Sequence, residues 1–277
     1  MDKPAGPTSH DVVAMVRRAL GTRAVGHTGT LDPFATGLLI VLCGRGTRLA
    51  RFVEGQPKTY LAAARLGVRT ATDDATGEPL GPPLPVAAVS EATIRTALHR
   101  FLGTQSQRPP AFSAKHVGGQ RSHQLARRGK PVQLAEVSVT VRRIELVGWD
   151  GETAIFRAEV SAGTYLRALA RDLGERLGTG AHLTALRREA IGGLDVSRAV
   201  APQDVTAEAV LPLLDVLRHL PVMELDPAAL RDVAHGRSVP GAPNASGPIA
   251  VLHGDEVVAV GTAEDGWLRP TVVLATP

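Results

Sequence analysis

The sequence reads as an α+β protein of two domains, a large one followed by a small β-barrel that carries one helix. Three observations predict this. Residues 9–20 and 165–177 carry apolar side chains at helical spacing. Residues 137–146 and 153–161 flank the turn Gly148-Trp149-Asp150-Gly151 as an antiparallel pair of strands. Beyond a boundary near residues 217–224, short apolar runs at 249–252, 257–262 and 268–273 are separated by Gly, Pro, Asn and Asp, the pattern of a small barrel.

Each element has a local reason. In residues 9–20, Ser9 can cap the helix, Asp11 sits in its first turn, and Val12, Val13, Val16 and Leu20 form one stripe. Arg17 and Arg18 come late, where cations suit the helix dipole, and Gly21 closes the segment. The apolar run 38–43 predicts a buried strand, 47–53 a short helix and 58–66 a strand. Residues 67–85, rich in Thr, Asp, Gly and Pro, read as loop. Ser90 can cap a helix running to Phe101. Residues 104–119 read as irregular and 122–128 as a second short helix. The strongest helix is 165–177, with Leu166, Leu169, Ala170, Leu173 and Leu177 on one face and Arg171 four residues before Glu175. Residues 181–188 read as a further helix, and 205–217 as one broken at Pro212. Asp226-Pro227 opens a helix that ends near Gly236. A tail this small buries little core and is expected to lean on the larger domain.

Composition excludes several classes. Of 277 residues, 44% are hydrophobic and 21% charged, which does not describe a disordered chain. The one cysteine, Cys43, sits in an apolar run, so no disulfide or cysteine-based zinc site forms within the chain. No apolar run approaches the roughly 18 residues of a membrane span, and no signal-peptide core follows Met1; a cytoplasmic home is the expectation. The net charge of +4 hides an asymmetry: residues 1–200 hold 27 Lys and Arg against 17 Asp and Glu, residues 201–277 hold 4 against 10. Residues 92–135 hold eight basic residues and no acid: Arg95, Arg100, Arg108, Lys115, Arg121, Arg127, Arg128 and Lys130. A one-signed stretch of that length suits a polyanion such as nucleic acid.

Four patches carry groups that ask for chemistry: Lys3-Pro4, His27 with Asp32, Lys58-Thr59-Tyr60, and Gly163-Thr164-Tyr165-Leu166-Arg167. Asp32 sits in a tight loop of Gly, Pro and Thr before an apolar run; it either caps its own turn or serves a reaction. Tyrosine occurs only at Tyr60 and Tyr165, both beside basic residues, and each is either a buried ring with a paired hydroxyl or a substrate contact. There is no Gly-x-Ser-x-Gly elbow, no His-Glu-x-x-His and no phosphate-binding Gly-Lys-Ser/Thr, and the histidines are scattered. Neither a metal nor a nucleotide cofactor is therefore expected. A two-carboxylate glycosidase is a weak alternative, because the acids at Asp73-Asp74 lie in a Gly- and Thr-rich loop.

The ordered motifs resemble those of the TruB family of tRNA pseudouridine synthases over residues 2–200. They are Asp2-Lys3-Pro4-Ala5-Gly6-Pro7-Thr8-Ser9, the run from Gly26 through Asp32 to Gly37, Lys58-Thr59-Tyr60, the stretch from Arg69 to Gly77, Pro110-Ala111-Phe112-Ser113-Ala114-Lys115, Ser161 to Arg167, and Gly180-Ala181-His182-Leu183 with Leu186-Arg187-Arg188. The resemblance implies the pseudouridine synthase fold: a central mixed, largely antiparallel sheet flanked by helices in residues 1–218, with an RNA-clasping insertion near 104–132. Residues 219–277 resemble, more weakly, a PUA-like RNA-binding domain. It implies Asp32 as the attacking carboxylate, Tyr165 beside C5 of the uracil, and Arg167 as the partner of Asp32. It further implies Tyr60 stacking on the base, Leu186 as an apolar wall, His27 holding the flipped nucleotide and Lys3 supporting the loops, with Lys115, Arg121, Arg127 and Arg128 on the RNA. The implied reaction is isomerisation of uridine 55 in the TΨC loop of tRNA, with no cofactor, no guide RNA, no obligate protein partner and a monomeric enzyme. Assistance of tRNA folding is the second activity such a chain would have.

Overall fold

A computed structural model of the chain describes residues 1–112, 116–117, 120–121 and 134–275, with backbone only at 116–117 and 120–121. Two compact units emerge: residues 1–56 with 190–277, and residues 57–189.

In the first unit, the helix Ser9–Ala19 is capped by Thr8, one residue earlier than expected. Thr8 and Asp11 form a reciprocal capping box, the Asp11 backbone N–H donating to Thr8 Oγ1 at 3.1 Å and the Thr8 N–H to Asp11 Oδ2 at 2.8 Å. Val12, Val13, Val16, Val25 and Leu39 share one core cluster. The single strand expected at 38–43 is two, Thr36–Leu38 and Val41–Cys43, because the chain changes partner: the first pairs antiparallel with Asp2–Lys3, the second with Val25–His27. Residues 44–54 form a 3₁₀ turn, Gly44–Leu49, that runs into the helix Ala50–Glu54. The helix expected at 205–217 is a 3₁₀ turn, Ala207–Ala209, and a short helix, Leu213–Leu217, with Pro212 at its N-cap. Proline lacks an N–H and tolerates only the start of a helix.

The tail of this unit is a five-stranded sheet in the order Val222–Glu224, Pro248–His253, Glu256–Glu264, Trp267–Val273, Val239–Pro240. The first pair is parallel and the rest antiparallel. The helix Pro227–Ala234 begins as expected, with Asp226 accepting from the backbone N–H groups of Ala228 and Ala229. A core cluster joins Leu49 and Leu217 to Ala250, Leu252, Val257, Val260, Val272 and Leu274. Arg45 donates to the Leu274 carbonyl at 2.6 Å and Arg48 to the Val273 carbonyl. The tail sheet thus closes over the 44–54 segment.

In the second unit, the strands run in the order Ala181–Ile191, Lys58–Leu66, Thr153–Val160, Val137–Trp149, Gly103–Gln107; the first ends two residues past the unit. The three pairings after the first are antiparallel. The helices Glu91–His99 and Leu166–Leu177 pack on each other; the former also packs on Val137–Trp149 and the latter on Lys58–Leu66. Ile94, Leu98, Phe101, Phe156, Leu169 and Leu173 are all buried.

Two expectations in this unit are corrected. Residues 181–188 belong to a strand, not a helix. Gly178 ends the preceding helix in the left-handed conformation at φ +73°, and the helix meets the new strand so tightly that a Cβ on Gly174 would lie 2.2 Å from Ala181 N. The chain is thereby delivered to an open sheet edge, and sheet pairing overrides helix propensity. Residues 104–107, the start of the stretch read as irregular, belong to an edge strand, Gly103–Gln107, that lies against 137–141. The helix expected at 122–128 lies outside the described residues.

Candidate active site

The first unit contributes the loop 26–37. Asp32 opens a turn in which Ala35 N–H donates to its carbonyl at 3.1 Å. Beneath it Lys3 is fully buried, and its ammonium donates to the carbonyl oxygens of Pro4 (2.8 Å), Pro33 (3.1 Å) and Ala35 (2.7 Å). Three N–H groups thus meet three carbonyls, two of which flank the Asp32 turn. Ser9, expected as a helix cap, instead grips Leu31: its hydroxyl donates to the Leu31 carbonyl at 3.2 Å and accepts from the Leu31 N–H at 2.9 Å. Gly37, buried opposite Lys3 in the strand pair, has φ +101°, a conformation that costs a side-chain-bearing residue dearly. His27 is half-buried, and the exposed His10 ring meets it edge-on at 5.3 Å between centroids.

The second unit contributes Tyr60, Tyr165, Arg167 and Leu186. Tyr60 is buried in the strand Lys58–Leu66, opposite Ala158. Leu186 is buried in the strand Ala181–Ile191. Tyr165 is the N-cap of the helix Leu166–Leu177 and has no side-chain cap of its own. Gln107, 2% exposed, pins that residue from afar: its Oε1 accepts from the Tyr165 N–H at 2.9 Å and its Nε2 donates to the Tyr165 carbonyl at 3.1 Å.

Arg167 lies in the first turn of that helix, where a cation opposes the helix dipole, and it is 5% exposed. Such burial needs compensation. Nη1 donates to the Thr72 carbonyl at 3.0 Å and Nη2 to the Phe112 carbonyl at 2.9 Å. Asp74 Oδ2 stands 3.6 Å from Nη1. The other carboxylate oxygen of Asp74 accepts from Thr72 Oγ1 (2.6 Å), Thr76 N–H (2.9 Å) and Thr76 Oγ1 (2.6 Å), so the acid is locked in its orientation. The loop carrying it is sewn to the strand Ala181–Ile191 through Ala75 N–H to the Leu183 carbonyl and Leu183 N–H to the Asp73 carbonyl. A rigid, charged guanidinium held on two carbonyls and an acid is suited to hold a substrate or a second carboxylate in place.

Asp32, Lys3 and His27 thus lie in one unit, Tyr60, Tyr165, Arg167 and Leu186 in the other. Arg121 is in the short strand Gln120–Arg121, paired with His116–Val117, of which only the backbone is described. Lys115, Arg127 and Arg128 lie outside the described residues. Sequence reasoning missed Asp74, which was set aside as a loop acid, and Gln107. The signal that could have found Asp74 is its flanking by Thr72 and Thr76, whose hydroxyls close on its carboxylate, with the Thr70 hydroxyl on its backbone carbonyl.

The same architecture is found in solved structures. A chain of an H/ACA RNP bound to a substrate RNA containing 2′-deoxyuridine superposes with a TM-score of 0.76 at 25% identity, covering 99% of this chain and 83% of that one. A chain of a Cbf5-Nop10-Gar1 complex superposes with a TM-score of 0.77 at 27% identity, covering 99% and 84%. The fold is that of a pseudouridine synthase, and the tail sheet is consistent with a PUA-like domain.

The assignment narrows further. Residues 17–166 match the TruB family pseudouridylate synthase N-terminal domain, and residues 167–218 the tRNA pseudouridylate synthase B C-terminal domain. The tRNA pseudouridine synthase B of Synechococcus sp. (strain WH7803) is 43% identical over 288 residues, spanning 99% of this chain and 95% of that one. That of Thermobifida fusca (strain YX) is 43% identical, spanning 99% and 97%. The chain belongs to the TruB family.

Proposed function

We propose that this chain isomerises uridine 55 in the TΨC loop of tRNA to pseudouridine, acting alone and without a guide RNA. The observation that carries the reading is Asp32, a carboxylate on a turn pinned from below by Lys3 and Ser9. The names of the relatives support tRNA as the substrate. In this reading Asp32 attacks the sugar or assists a glycal-type intermediate. The N1–C1′ bond breaks, the detached uracil turns, a C5–C1′ bond forms, the C5 proton leaves and N1 takes up a proton. Product and substrate are isomers, so the step needs no oxidant and no transferred group.

The other residues serve that sequence of events. In this reading the Arg167 guanidinium pairs with Asp32 and fixes its orientation. Tyr60 stacks on the base and Leu186 walls it, contacts that let a ring turn without breaking fixed hydrogen bonds. Tyr165 lies beside C5, where the proton departs. His27 holds the nucleotide once it has left its stack, and Lys3 keeps the turn in place. Lys115, Arg121, Arg127 and Arg128 meet phosphates of a folded loop recognised by shape. We divide the chain into a catalytic domain, 1–218, with its RNA-clasping insertion at about 104–132, and a PUA-like RNA-binding tail, 219–277. A monomer working on tRNA in the cytoplasm completes the reading.

Incubating the protein with unmodified tRNA and mapping pseudouridine by position tests it. Pseudouridine should form at position 55 and nowhere else, with no cofactor added. Modification at other positions, or none at all, would refute it.

A further inference from the structure

We propose that Arg171 is a positioning residue for Arg167: with Asp73 it closes a second clamp, one helical turn on, around the two chain segments on which Arg167 is held. The inference rests on the reading of Arg167 given above and extends it.

Arg167 and Arg171 lie four apart on the helix Leu166–Leu177 and so project from the same face. Both reach the same two segments. Arg167 takes the carbonyls of Thr72 and Phe112; Arg171 takes the Asp73 carboxylate (Nη1 to Oδ2, 3.1 Å) and the Arg108 carbonyl (Nη2, 2.9 Å). Its Nε donates to Asp172 Oδ1 at 2.9 Å, which fixes the guanidinium on its own helix. Between Arg108 and Phe112 lie Pro109 and Pro110, both buried, so the segment is a stiff strut fastened at each end by one arginine. Shift the strut or the 70–76 loop, and the carbonyls that aim Arg167 shift with it.

Two features show what holding Asp73 in this place costs. Asp73 has φ +59°, one of two non-glycine residues described with positive φ. That conformation is strained, and it puts the Asp73 side chain on Arg171 while its neighbour Asp74 faces Arg167. Burial also pushes the Asp73 carboxyl above its ordinary range, against the pull of Arg171 and then Arg167. An acid whose folded-state value is raised binds a proton more tightly folded than unfolded, so stability falls as pH rises through that range, and the ionised group costs folding energy at neutral pH. Against its own burial, Arg171 is itself shifted up by Asp172 and then Asp73, so the pair offsets part of that cost.

The test measures single-turnover rate at saturating tRNA, tRNA affinity and Tm for the full chain and for Asp73→Asn, Arg171→Met, Arg167→Lys and the double variant Arg167→Lys/Arg171→Met. Asp73→Asn and Arg171→Met should each slow the chemical step by about 10- to 100-fold, the cost of a small misplacement near a reacting group. Affinity should fall by much less than the rate, because neither Asp73 nor Arg171 is among the side chains assigned to the RNA. Asp73→Asn should hold or raise Tm. Once the fork of Arg167 is lost, Arg171→Met should add little, because coupled residues are not additive. Equal slowing by Arg171→Met in both backgrounds would overturn the inference, as would parent-like rates for Asp73→Asn and Arg171→Met beside a slow Arg167→Lys. A parent-like rate for Arg167→Lys would instead remove the role of Arg167 itself. If Arg171→Met does not fold, the nearly isosteric Asp73→Asn decides alone.

Discussion

Two acid-bearing loops, one in each unit, are held in opposite ways. In the 26–37 loop the supporting side chains grip the backbone: Lys3 lies on the Pro33 and Ala35 carbonyls, and Ser9 takes both polar groups of Leu31. In the 69–77 loop they grip the carboxylate: Thr72, Thr76 and Arg167 converge on Asp74. A group that must react is best placed by fixing the chain on either side of it. A group that must orient another is best fixed by its own oxygens. The contrast suits the two acids to separate tasks in the proposed reaction, although each sits in a loop of Gly, Thr and Asp.

The sharpest way to break the contrast is Asp32→Asn. The amide keeps the size and loses the charge, so fold and tRNA affinity should persist while single-turnover rate falls by about 10⁴-fold or more. A rate within tenfold of the parent would transfer the reaction to another residue. Arg167→Lys comes next: charge is kept but the fork that spans Thr72, Phe112 and Asp74 is lost, and a drop of about 10²- to 10³-fold is expected from the same assay. Asp74→Asn keeps the hydroxyl contacts and removes the charge facing Arg167; about 10- to 100-fold should be lost from the rate and little from binding.

Lys3→Met should act on the other loop through stability. It leaves three carbonyls without their donor, each worth about 1–3 kcal/mol when buried, and the loss should read as a lower midpoint in denaturant. Calorimetry giving an unchanged Tm would show that water replaces the ammonium at no cost. The smallest effect on chemistry belongs to the triple change Arg121→Ala, Arg127→Ala and Arg128→Ala. Binding should weaken and its salt dependence flatten, while the rate at saturating RNA stays near the parent value. An unchanged salt slope would take those charges off the RNA.

Much of this was legible in the chain because the signals are local. The strand Lys58–Leu66 alternates buried and less buried residues, and the helix Leu166–Leu177 keeps its apolar stripe. The strand Ala181–Ile191 was illegible for the opposite reason: Leu183 and Leu186 fit a helical stripe equally well, and what decides is a sheet edge formed by residues more than a hundred positions earlier. The edge strand Gly103–Gln107 has no apolar alternation to read, since only Gln107 is buried. The Asp74 clamp depends on Arg167, whose bond to Thr72 spans 95 residues. The resemblance implied roles for Asp32 and Arg167; it could not say that Ser9, read as a helix cap, holds Leu31 instead.

The closure of the tail sheet over Leu49 has a consequence for biosynthesis. The first unit is discontinuous, its two parts separated by the whole of residues 57–189. A ribosome makes the Asp32 loop early and the covering strands, Pro248–His253 to Trp267–Val273, last. Until then Leu49 has lost six of its seven buried companions in that cluster, since only Leu217 precedes residue 250. Residues 57–189 can collapse on the ribosome, while the first unit waits for release of the full chain. Nascent chains stalled before residue 248 should therefore present the 44–54 segment to chaperones and proteases, and a premature stop anywhere in the tail should be felt at the opposite end of the sequence.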